Sequence, residues 1–404
     1  MIMPVQTTQV QVDTEAVREL TADLIRIPTV NQAGEDAAIL VLGDVLDREG
    51  IDYVVETDIP HRPNLIVEMG DGNGPTLWLN GHVDTVPIGN RLTWIHEPFG
   101  GDLVGGRMYG RGASDNKSGV AAMIHAAIAL HRARVALHGR LRLTAVMGEE
   151  EGQIGIRHLL DLGLTADAFI STQWSTAAQI AVGYRGLCWI EVTTTGRAAH
   201  GSRPSSGINA VEQMLDVVLP ALRGLKLAGA DSQVIETPGF SVNLSRIGGG
   251  DAANTVPDSC RATLDYRLGN GQCSGEVQRA IETELARLRA SDPTLAVQFQ
   301  VLLRAEPFLT DPSCDLVQRL SRAVVEVTRQ SPRYFGKTGT GEANLVYQRL
   351  GIPVVAYGPG NESGHSPDEY VVIEDLERVS EVYVRTISAY LNAPSRESTG
   401  SPTP

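Results

Sequence analysis

A histidine and an aspartate stand two residues apart where an apolar run of the sequence ends. His82 and Asp84 follow the run Leu77–Leu79 and the pair Asn80 and Gly81. Residues two apart in a strand point to the same side, and ligands of open α/β sheets bind beyond the carboxyl ends of the strands. One ring nitrogen of His82 could therefore bind a metal ion while Asp84 orients the other. Taken alone, the pair could also be a surface histidine and aspartate in a hairpin.

Carboxylates stand at the ends of two further predicted elements. Asp115 lies between glycines just ahead of an apolar helix, where it could bind a metal ion or act as a solvated cap. Glu149, Glu150 and Glu151 directly follow a predicted strand. Adjacent acids repel one another unless cations or protons offset their charge. At the mouth of a sheet, a bound metal ion is the better explanation.

A second histidine, His365, lies in a glycine-rich loop that no helical or strand pattern would bury. Histidine and carboxylate side chains thus follow successive predicted strands. Imidazole and carboxylate together suit hard or borderline divalent cations. Two ions that share one carboxylate would explain why so many acids are present.

Composition and charge set limits on the class of protein. The chain has 404 residues, more than one ordinary core accommodates. Its net charge of -14 argues against a nucleic-acid partner and against an anionic membrane surface. The four cysteines form no CxxC pair. Because we find neither a signal-peptide pattern nor an apolar run of about 18 residues, we predict a cytoplasmic protein.

Alternating helical and strand patterns predict an α/β fold, with a mostly parallel sheet flanked by helices on both faces. The order then changes to β-α-β-β-α-β, which is the ferredoxin-like order. We predict a discontinuous catalytic domain over 1–183 and 305–392. An inserted ferredoxin-like domain is predicted over 184–304. A disordered tail is predicted over 393–404, which is rich in Pro, Ser and Thr.

Four motifs in one order resemble those of a known group of enzymes. They are Gly-His-x-Asp-Thr-Val-Pro, Gly-Arg-Gly-x-x-Asp-x-Lys-Ser-Gly, Glu-Glu-x-Gly and Gly-His-x-x-x-Glu-Tyr, at 81–87, 110–119, 149–152 and 364–370. The chain resembles the co-catalytic zinc aminoacylase/carboxypeptidase family. That family includes aminoacylase, carboxypeptidase G, acetylornithine deacetylase and succinyl-diaminopimelate desuccinylase. The resemblance covers nearly the whole chain and implies that the inserted domain is a lid through which a homodimer forms.

The resemblance also implies a set of metal ligands. His82 would bind one zinc ion and Asp84 would orient its ring. Asp115 would bridge two ions, and Glu150 with His365 would complete the second. One or two divalent ions are expected, with cobalt or manganese as possible replacements for zinc.

The acidic triplet needs a register for these roles to be assigned. The glycines that follow it match best if Glu149 is the general base, Glu150 the metal ligand and Glu151 a neighbour. The register one residue later stays open.

One residue departs from the pattern of the family. Gln173 stands where the family has an acid that ligates the first metal. A neutral amide carbonyl is a poor zinc ligand beside a carboxylate. Three alternatives remain: one metal on the other set suffices, Gln173 binds weakly, or the substrate class differs.

Substrate-binding roles are implied for residues of the inserted domain and a later loop. His200 would reach the active site of a partner subunit and stabilise the oxyanion, and Asn254 would contact the substrate. Arg267 would clamp a substrate carboxylate, because guanidinium binds carboxylate in a bidentate fork. The loop that resembles the substrate-carboxylate loop of the acetylornithine/acyl-lysine deacylase branch contains Lys337, Thr338, Gly339 and Thr340.

We therefore predict a zinc-type metallohydrolase that cleaves the amide bond of an N-acyl amino acid or a related small substrate. A peptidase that acts on di- and tripeptides is the alternative within enzymes. A non-catalytic relative that binds amino-acid derivatives is the alternative outside them. Gln173 motivates that last alternative, and a general base such as Glu149 argues against it.

Overall fold

The computed structural model describes residues 10–30, 34–229 and 239–392. The predicted disordered tail, 393–404, lies outside the described residues. Two compact units are distinguished by their internal contacts. The first comprises Met1–Val182, Thr310–Phe335 and Gly341–Pro404, and the second comprises Gly183–Leu309 and Gly336–Thr340. This division differs from the predicted bounds in placing 183, 305–309 and 336–340 with the second unit.

Helices and strands alternate along most of the chain. The helices are α1 (Thr14–Arg26), α2 (Asp36–Glu49), α3 (Lys117–Arg132), α4 (Ile154–Asp161), α5 (Ala210–Glu212), α6 (Leu219–Arg223), α7 (Ser274–Ser291), α8 (Asp315–Thr328), α9 (Glu342–Leu350) and α10 (Ile373–Leu391). The strands are β1 (Tyr53–Glu56), β2 (Asn64–Met69), β3 (Thr76–His82), β4 (Asp102–Val104), β5 (Arg107–Tyr109), β6 (Arg140–Val146), β7 (Ala168–Ser171), β8 (Gln179–Tyr184), β9 (Gly186–Thr195), β10 (Ser241–Gly249), β11 (Ser259–Leu268), β12 (Ala296–Ala305), β13 (Phe308–Leu309), β14 (Arg333–Lys337), β15 (Val354–Ala356) and β16 (Tyr370–Val372).

The central sheet of the first unit has a parallel centre. Its order is β1-β2-β6-β3-β7-β15-β8. Strands β6, β3, β7 and β15 pair in parallel, whereas β1, β2 and β8 pair antiparallel. Leu77, Trp78 and Leu79 of β3 are all fully buried, as expected of a strand covered on both faces. The predicted α/β fold with flanking helices is confirmed.

Helix α3 packs against the central sheet, and its amino-terminal end lies next to the carboxyl end of β3. It contacts β3, α1 and α10, and its residues from Lys117 to Leu130 are buried all round. A helix that is buried on every side needs apolar residues on every side, which explains the predicted apolar pattern here. The one lysine in this stretch, Lys117, donates from Nζ to the carbonyls of Leu24 and Ile27, at 2.8 and 2.6 Å.

The second unit has its own core and its own sheet. The sheet order is β10-β11-β9-β12, and every pairing is antiparallel. If β9, β10, β11 and β12 are numbered 1 to 4, the order across the sheet is 4-1-3-2. This is the ferredoxin-like arrangement. Helices α5, α6 and α7 cover one face, where Ile190, Leu264 and Ile281 are fully buried.

The first helical segment of the second unit is interrupted. A π-helical turn, Gln213–Val218, separates α5 from α6. Pro220 lies in the first turn of α6, after Leu219, and has no N–H to donate to residue 216. The local change in hydrogen-bond spacing therefore has a cause in the sequence.

Several short elements were not predicted. The glycine-rich stretch 100–112 contains β4 and β5, which form a three-stranded antiparallel sheet with the distant β16. Helix α9 and strands β8, β13 and β14 were also missed. Among the described residues, none of the helices combines the length and the apolar character needed to cross a bilayer.

Candidate metal centre and active site

The predicted metal ligands of the first unit converge at one end of its sheet. His82 ends β3, the acidic triplet follows β6, Gln173 follows β7, and His365 follows β15. Asp115 precedes α3. Because β6, β3, β7 and β15 are consecutive neighbours in the sheet, segments distant in sequence meet there.

His82 is fully buried and its ring is oriented by Asp84. Its Nδ1 lies 3.1 Å from the backbone carbonyl oxygen of Asp84 and 3.4 Å from the carboxylate Oδ1. A carbonyl oxygen can only accept, so Nδ1 carries the proton and a neutral ring presents its lone pair at Nε2. The orientation is the one that a metal ligand requires. Burial lowers the pKa of His82, but hydrogen bonds with Asp115 and Asp84 outweigh it and raise the pKa well above its ordinary value.

The carboxyl end of β3 packs closely against the start of α3. A Cβ on Gly81 would overlap the side chains of Thr172 and Asn116. The glycine before His82 therefore lets the strand end pass beneath the start of α3.

Asp84 binds the backbone of the acidic triplet in addition to orienting His82. Its Oδ1 accepts the N–H of Glu149 at 3.0 Å, and its Oδ2 accepts the N–H of Glu150 at 3.1 Å. Burial raises the pKa of the Asp84 carboxyl, but hydrogen bonds from His82 and from these backbone groups lower it below its ordinary value. The carboxylate is thus a fixed anion that joins the ends of β3 and β6.

Asp115 lies between the two histidines. Its Oδ1 is 3.0 Å from Nε2 of His82, and its Oδ2 is 3.5 Å from Nε2 of His365. This is the arrangement that a carboxylate bridging two metal ions would need. The peptide bond between Asp115 and Asn116 is cis.

Glu150 completes a group with Asp115 and His365. Nε2 of His365 lies 2.9 Å from Oε1 of Glu150, and one ligand atom from each of the three residues lies within 4.8 Å of the others. Tetrahedral zinc ligands at bond lengths near 2 Å stand about 3.3 Å apart. Three donors of suitable chemistry are therefore close to the spacing of a single ion.

A second group of ligand atoms at this spacing consists of His82, Glu149 and Glu150. Glu151 belongs to neither group, and its side chain accepts a hydrogen bond from Arg62. This division supports the predicted register of the triplet over the later one.

Gln173, which stands where the resemblance implies an acidic metal ligand, lies beside His82 and Asp115. Its Nε2 lies 3.0 Å from Nε2 of His82 and 3.0 Å from Oδ1 of Asp115. The amide therefore reaches the same two residues that a first metal ion would contact. It brings no negative charge to them.

Glu149 has the environment of a proton carrier. Burial raises the pKa of its carboxyl well above the ordinary value, and the neighbouring acids Glu150, Glu342 and Asp115 raise it further, against the opposing effect of His82. Carboxyls with raised pKa values are typical of general acids and bases.

Glu342 is a buried acid that was not assigned a role from the sequence. It accepts a hydrogen bond from Nδ2 of Asn80 at 2.6 Å, and burial raises its pKa to about 8. Its Oε1 has no hydrogen-bond partner in the part of the chain that the structure describes. Glu342 follows a glycine-rich stretch of the sequence. That stretch did not indicate that α9 begins at Glu342 or that the side chain is buried.

Glu369 fixes the position of Asp115. It accepts the N–H groups of Ser114 and Asp115 at 2.8 and 2.9 Å, and it forms a buried ion pair with Arg111. Arg111 in turn donates to the carbonyl of His365 at 3.3 Å. The segment of Asp115 and the loop of His365 are thereby tied together. Glu369 and Arg111 were part of the matched motifs, but no role was assigned to either.

His200 in the second unit presents an N–H group to solvent. The backbone N–H of Ser202 donates to Nδ1 of His200 at 3.1 Å, and the Ser202 hydroxyl lies 2.8 Å from the same atom. Nδ1 is therefore the acceptor, and the proton of a neutral ring is on Nε2. The side chain is exposed. Asn254, which is also exposed, accepts the N–H of Gly201 through its backbone carbonyl.

Cationic side chains of the second unit lie near one another. Arg267 forms an ion pair with Asp265 at 2.9 Å, and its charge contributes, after burial, to lowering the pKa of Arg185. The backbone N–H of Arg185 donates to the carbonyl of Lys337 at 3.0 Å. Lys337 is largely buried, whereas the following loop residues Thr338 and Gly339 are exposed. Arg185 was not predicted, because a single arginine at the end of a strand carries no pattern.

Comparison with known proteins places this arrangement among metallohydrolases. A model of peptidase family M20/M25/M40 matches residues 78–389. The chain is 30% identical over 385 residues to succinyl-diaminopimelate desuccinylase of Cereibacter sphaeroides, and the match covers 92% of this chain and 98% of that protein.

Solved structures share the fold. Aminopeptidase PepT from Bacillus cereus superposes with a TM-score of 0.76 at 20% identity, over 94% of this chain and 99% of that chain. The YXEP protein of Bacillus subtilis, a dinuclear metal-binding peptidase, superposes with a TM-score of 0.72 at 17% identity, over 94% of this chain and 98% of that chain. At these identities the likeness shows the fold alone.

Proposed function

Because the chain belongs to peptidase family M20/M25/M40, we propose that it hydrolyses the amide bond of an N-acyl amino acid with the help of a bound divalent metal. It is a metallohydrolase that acts on amide bonds. The observation that carries the proposal is the half-buried carboxyl of Glu149, whose pKa is raised, beside converging metal-ligand atoms. The related desuccinylase supports an N-acyl amino acid as the substrate class.

The donor set fits one or two divalent ions of the zinc type, with cobalt or manganese as replacements. Asp115, Glu150 and His365 would hold one ion. His82 and Asp115 would hold the other, with Gln173 beside them. Because an amide supplies no negative charge, we propose that this second position binds its ion more weakly. A bound ion acts as a Lewis acid that polarises the scissile carbonyl and lowers the pKa of a water molecule.

Glu149 is the proposed general base. Its carboxylate takes a proton from the attacking water and returns it to the leaving amine nitrogen. The raised pKa allows the group to hold the proton between these two steps. Asp84 keeps the carboxyl in place by accepting the backbone N–H of Glu149.

The second unit supplies the proposed substrate contacts. Arg267 would bind the substrate carboxylate in a bidentate fork, and the neighbouring charge of Arg185 supports an anionic ligand. Asn254 would contact the same substrate, together with the loop residues Lys337, Thr338, Gly339 and Thr340. The Nε2–H of His200 would donate a hydrogen bond to the oxyanion formed when water attacks the carbonyl.

A substrate panel tests this proposal. With zinc or cobalt supplied, we expect N-acetyl or N-succinyl amino acids to be hydrolysed with a kcat/KM about 10²-fold above that of di- and tripeptides. A peptide brings a charged ammonium group toward bound cations, where like charges repel. Release of free amine measures the rate. Dominant peptide turnover would instead assign a peptidase. If no substrate turned over and no metal bound, the chain would be a non-catalytic relative.

A homodimer in which His200 serves the partner's site is part of the proposal. We expect sedimentation as a dimer, and we expect His200→Ala to lower kcat by about 10²-fold or more, as the loss of one oxyanion donor does. Mixing His200→Ala with Glu149→Gln should restore activity that neither variant has alone. A hybrid dimer would combine an intact Glu149 with an intact partner His200. A fully active monomer would contradict this arrangement.

A cytoplasmic location completes the proposal. Cys188, Cys260, Cys273 and Cys314 are free thiols. Free thiols suit a reducing compartment. Cell fractionation checks the location.

A further inference from the structure

We propose that Arg62 is a positioning residue that decides which two of the three adjacent glutamates face the metal groups. It does so by binding the third, Glu151. This proposal rests on the proposed metal-dependent function, because the selected residues are Glu149 and Glu150.

Arg62 is buried and lies between two acids from different parts of the chain. Its Nε and Nη2 atoms donate to the carboxylate of Glu35, at distances from 2.8 to 3.3 Å. Its Nη1 donates to Oε2 of Glu151. Glu35 is 1% exposed and Arg62 is 6% exposed. The planar fork of guanidinium therefore has one edge fixed by Glu35 and one N–H directed at Glu151.

The backbone of the triplet is held from the other side. Asp84 accepts the N–H groups of Glu149 and Glu150. Before them, Gly148 adopts a φ of +62°, and a Cβ there would lie 3.1 Å from Nη2 of Arg62. The guanidinium thus lies against the turn itself. The triplet is thus held from two sides, by Asp84 through its backbone and by Arg62 through the side chain of Glu151.

Charge explains why a cation is needed at this turn. Adjacent carboxylates repel one another, and a metal ion attracts any of them. Without a fixed cation, Glu151 would compete with Glu150 for the ion, and the general base would shift with it. Arg62 removes Glu151 from that competition, because the partly buried ion pair satisfies its charge. Glu35 takes part by keeping Arg62 from turning toward the metal groups.

Titration of the metal-stripped protein with Co²⁺ tests the proposal, with the absorption spectrum, kcat and KM as readouts. Arg62→Lys keeps the charge but cannot donate to Glu35 and Glu151 together in this geometry. We expect a Kd for Co²⁺ about tenfold weaker, a changed visible spectrum, and a lower kcat at nearly constant KM. A purely structural role would lower Tm and leave the Co²⁺ spectrum unchanged, which would overturn the proposal.

Glu150→Gln and Glu151→Gln separate the two registers. We expect Glu150→Gln to weaken Co²⁺ binding by about 10²-fold, and Glu151→Gln to change it about threefold or less. Equal losses from both, or a larger loss from Glu151→Gln, would make Glu151 a ligand and overturn the proposal. If Arg62→Lys fails to fold, Glu35→Gln replaces it, and an unchanged spectrum and kcat in that variant would count against Arg62.

Arg142→Lys is the matched control. Arg142 is also a buried arginine of the first unit and is bound by a glutamate, Glu68, and by the carbonyl of Thr165. We expect its Co²⁺ affinity and spectrum to match those of the wild type, and a change equal to that of Arg62→Lys would overturn the proposal. Absence of Co²⁺ binding by the wild type would refute the proposed function. Wild-type binding with an unaffected Arg62→Lys variant would refute only the positioning role.

Discussion

Glu149→Gln is expected to lower kcat by about 10³-fold, within the range that general-base catalysis contributes. The amide has nearly the shape of the carboxyl but cannot take the proton of the attacking water. Metal content and the Kd for zinc should stay within a few-fold of the wild type, because the other donors remain. Single-turnover hydrolysis of an N-acyl amino acid, with metal analysis of the same sample, measures both effects.

The matched control for that change is Glu362→Gln. Glu362 is exposed in the loop that carries His365, and it belongs to neither group of ligand atoms. We expect wild-type kcat from this variant. Normal turnover by Glu149→Gln would show that Glu149 is not the general base. Glu150 would then be the next candidate.

Gln173→Glu is expected to tighten the weaker metal position by about 10- to 100-fold, a range typical of changes in the immediate surroundings of a metal. A carboxylate is a better donor than a neutral amide for hard and borderline cations. The change also removes the amide N–H that lies against His82 and Asp115. Zinc titration followed by calorimetry should show a second tight equivalent in the variant.

Gln153→Glu is a suitable control, because it makes the same chemical change just beyond the acidic triplet and outside both ligand groups. It should leave the zinc stoichiometry unchanged. Identical titration curves for the wild type and Gln173→Glu would mean that the amide does not limit the second position. The choice between one and two ions would then depend on other residues.

The sequence predicted those parts of the site that follow a periodic pattern. His82 stands at the end of an apolar run, and the acidic triplet stands at the end of another. Because parallel strands end at one edge, the pattern alone indicated that these residues meet. The ferredoxin-like order was likewise readable, since each of its elements is long enough to show its period.

The supporting residues could not be predicted because their partners are remote in the chain. Arg62 binds Glu151, which is 89 positions away, and Glu369 accepts the N–H of Asp115 across 254 positions. A charged residue in a loop has no period, so its partner appears only when the fold brings both together. The short strands β4, β5 and β16 were missed for a similar reason, as three residues are too few to show alternation.

The sheet of the second unit has a consequence for how the chain folds. Its first and last strands, β9 and β12, are neighbours, and Leu187 at the start of one pairs with Ala305 at the end of the other. Antiparallel partners lie about 5 Å apart. Once this unit has formed, the two ends of the insertion therefore lie close together. For the first unit, the insertion then acts as a short closed loop. The entropy lost in joining the flanking segments then depends on that small gap rather than on the length of the insertion.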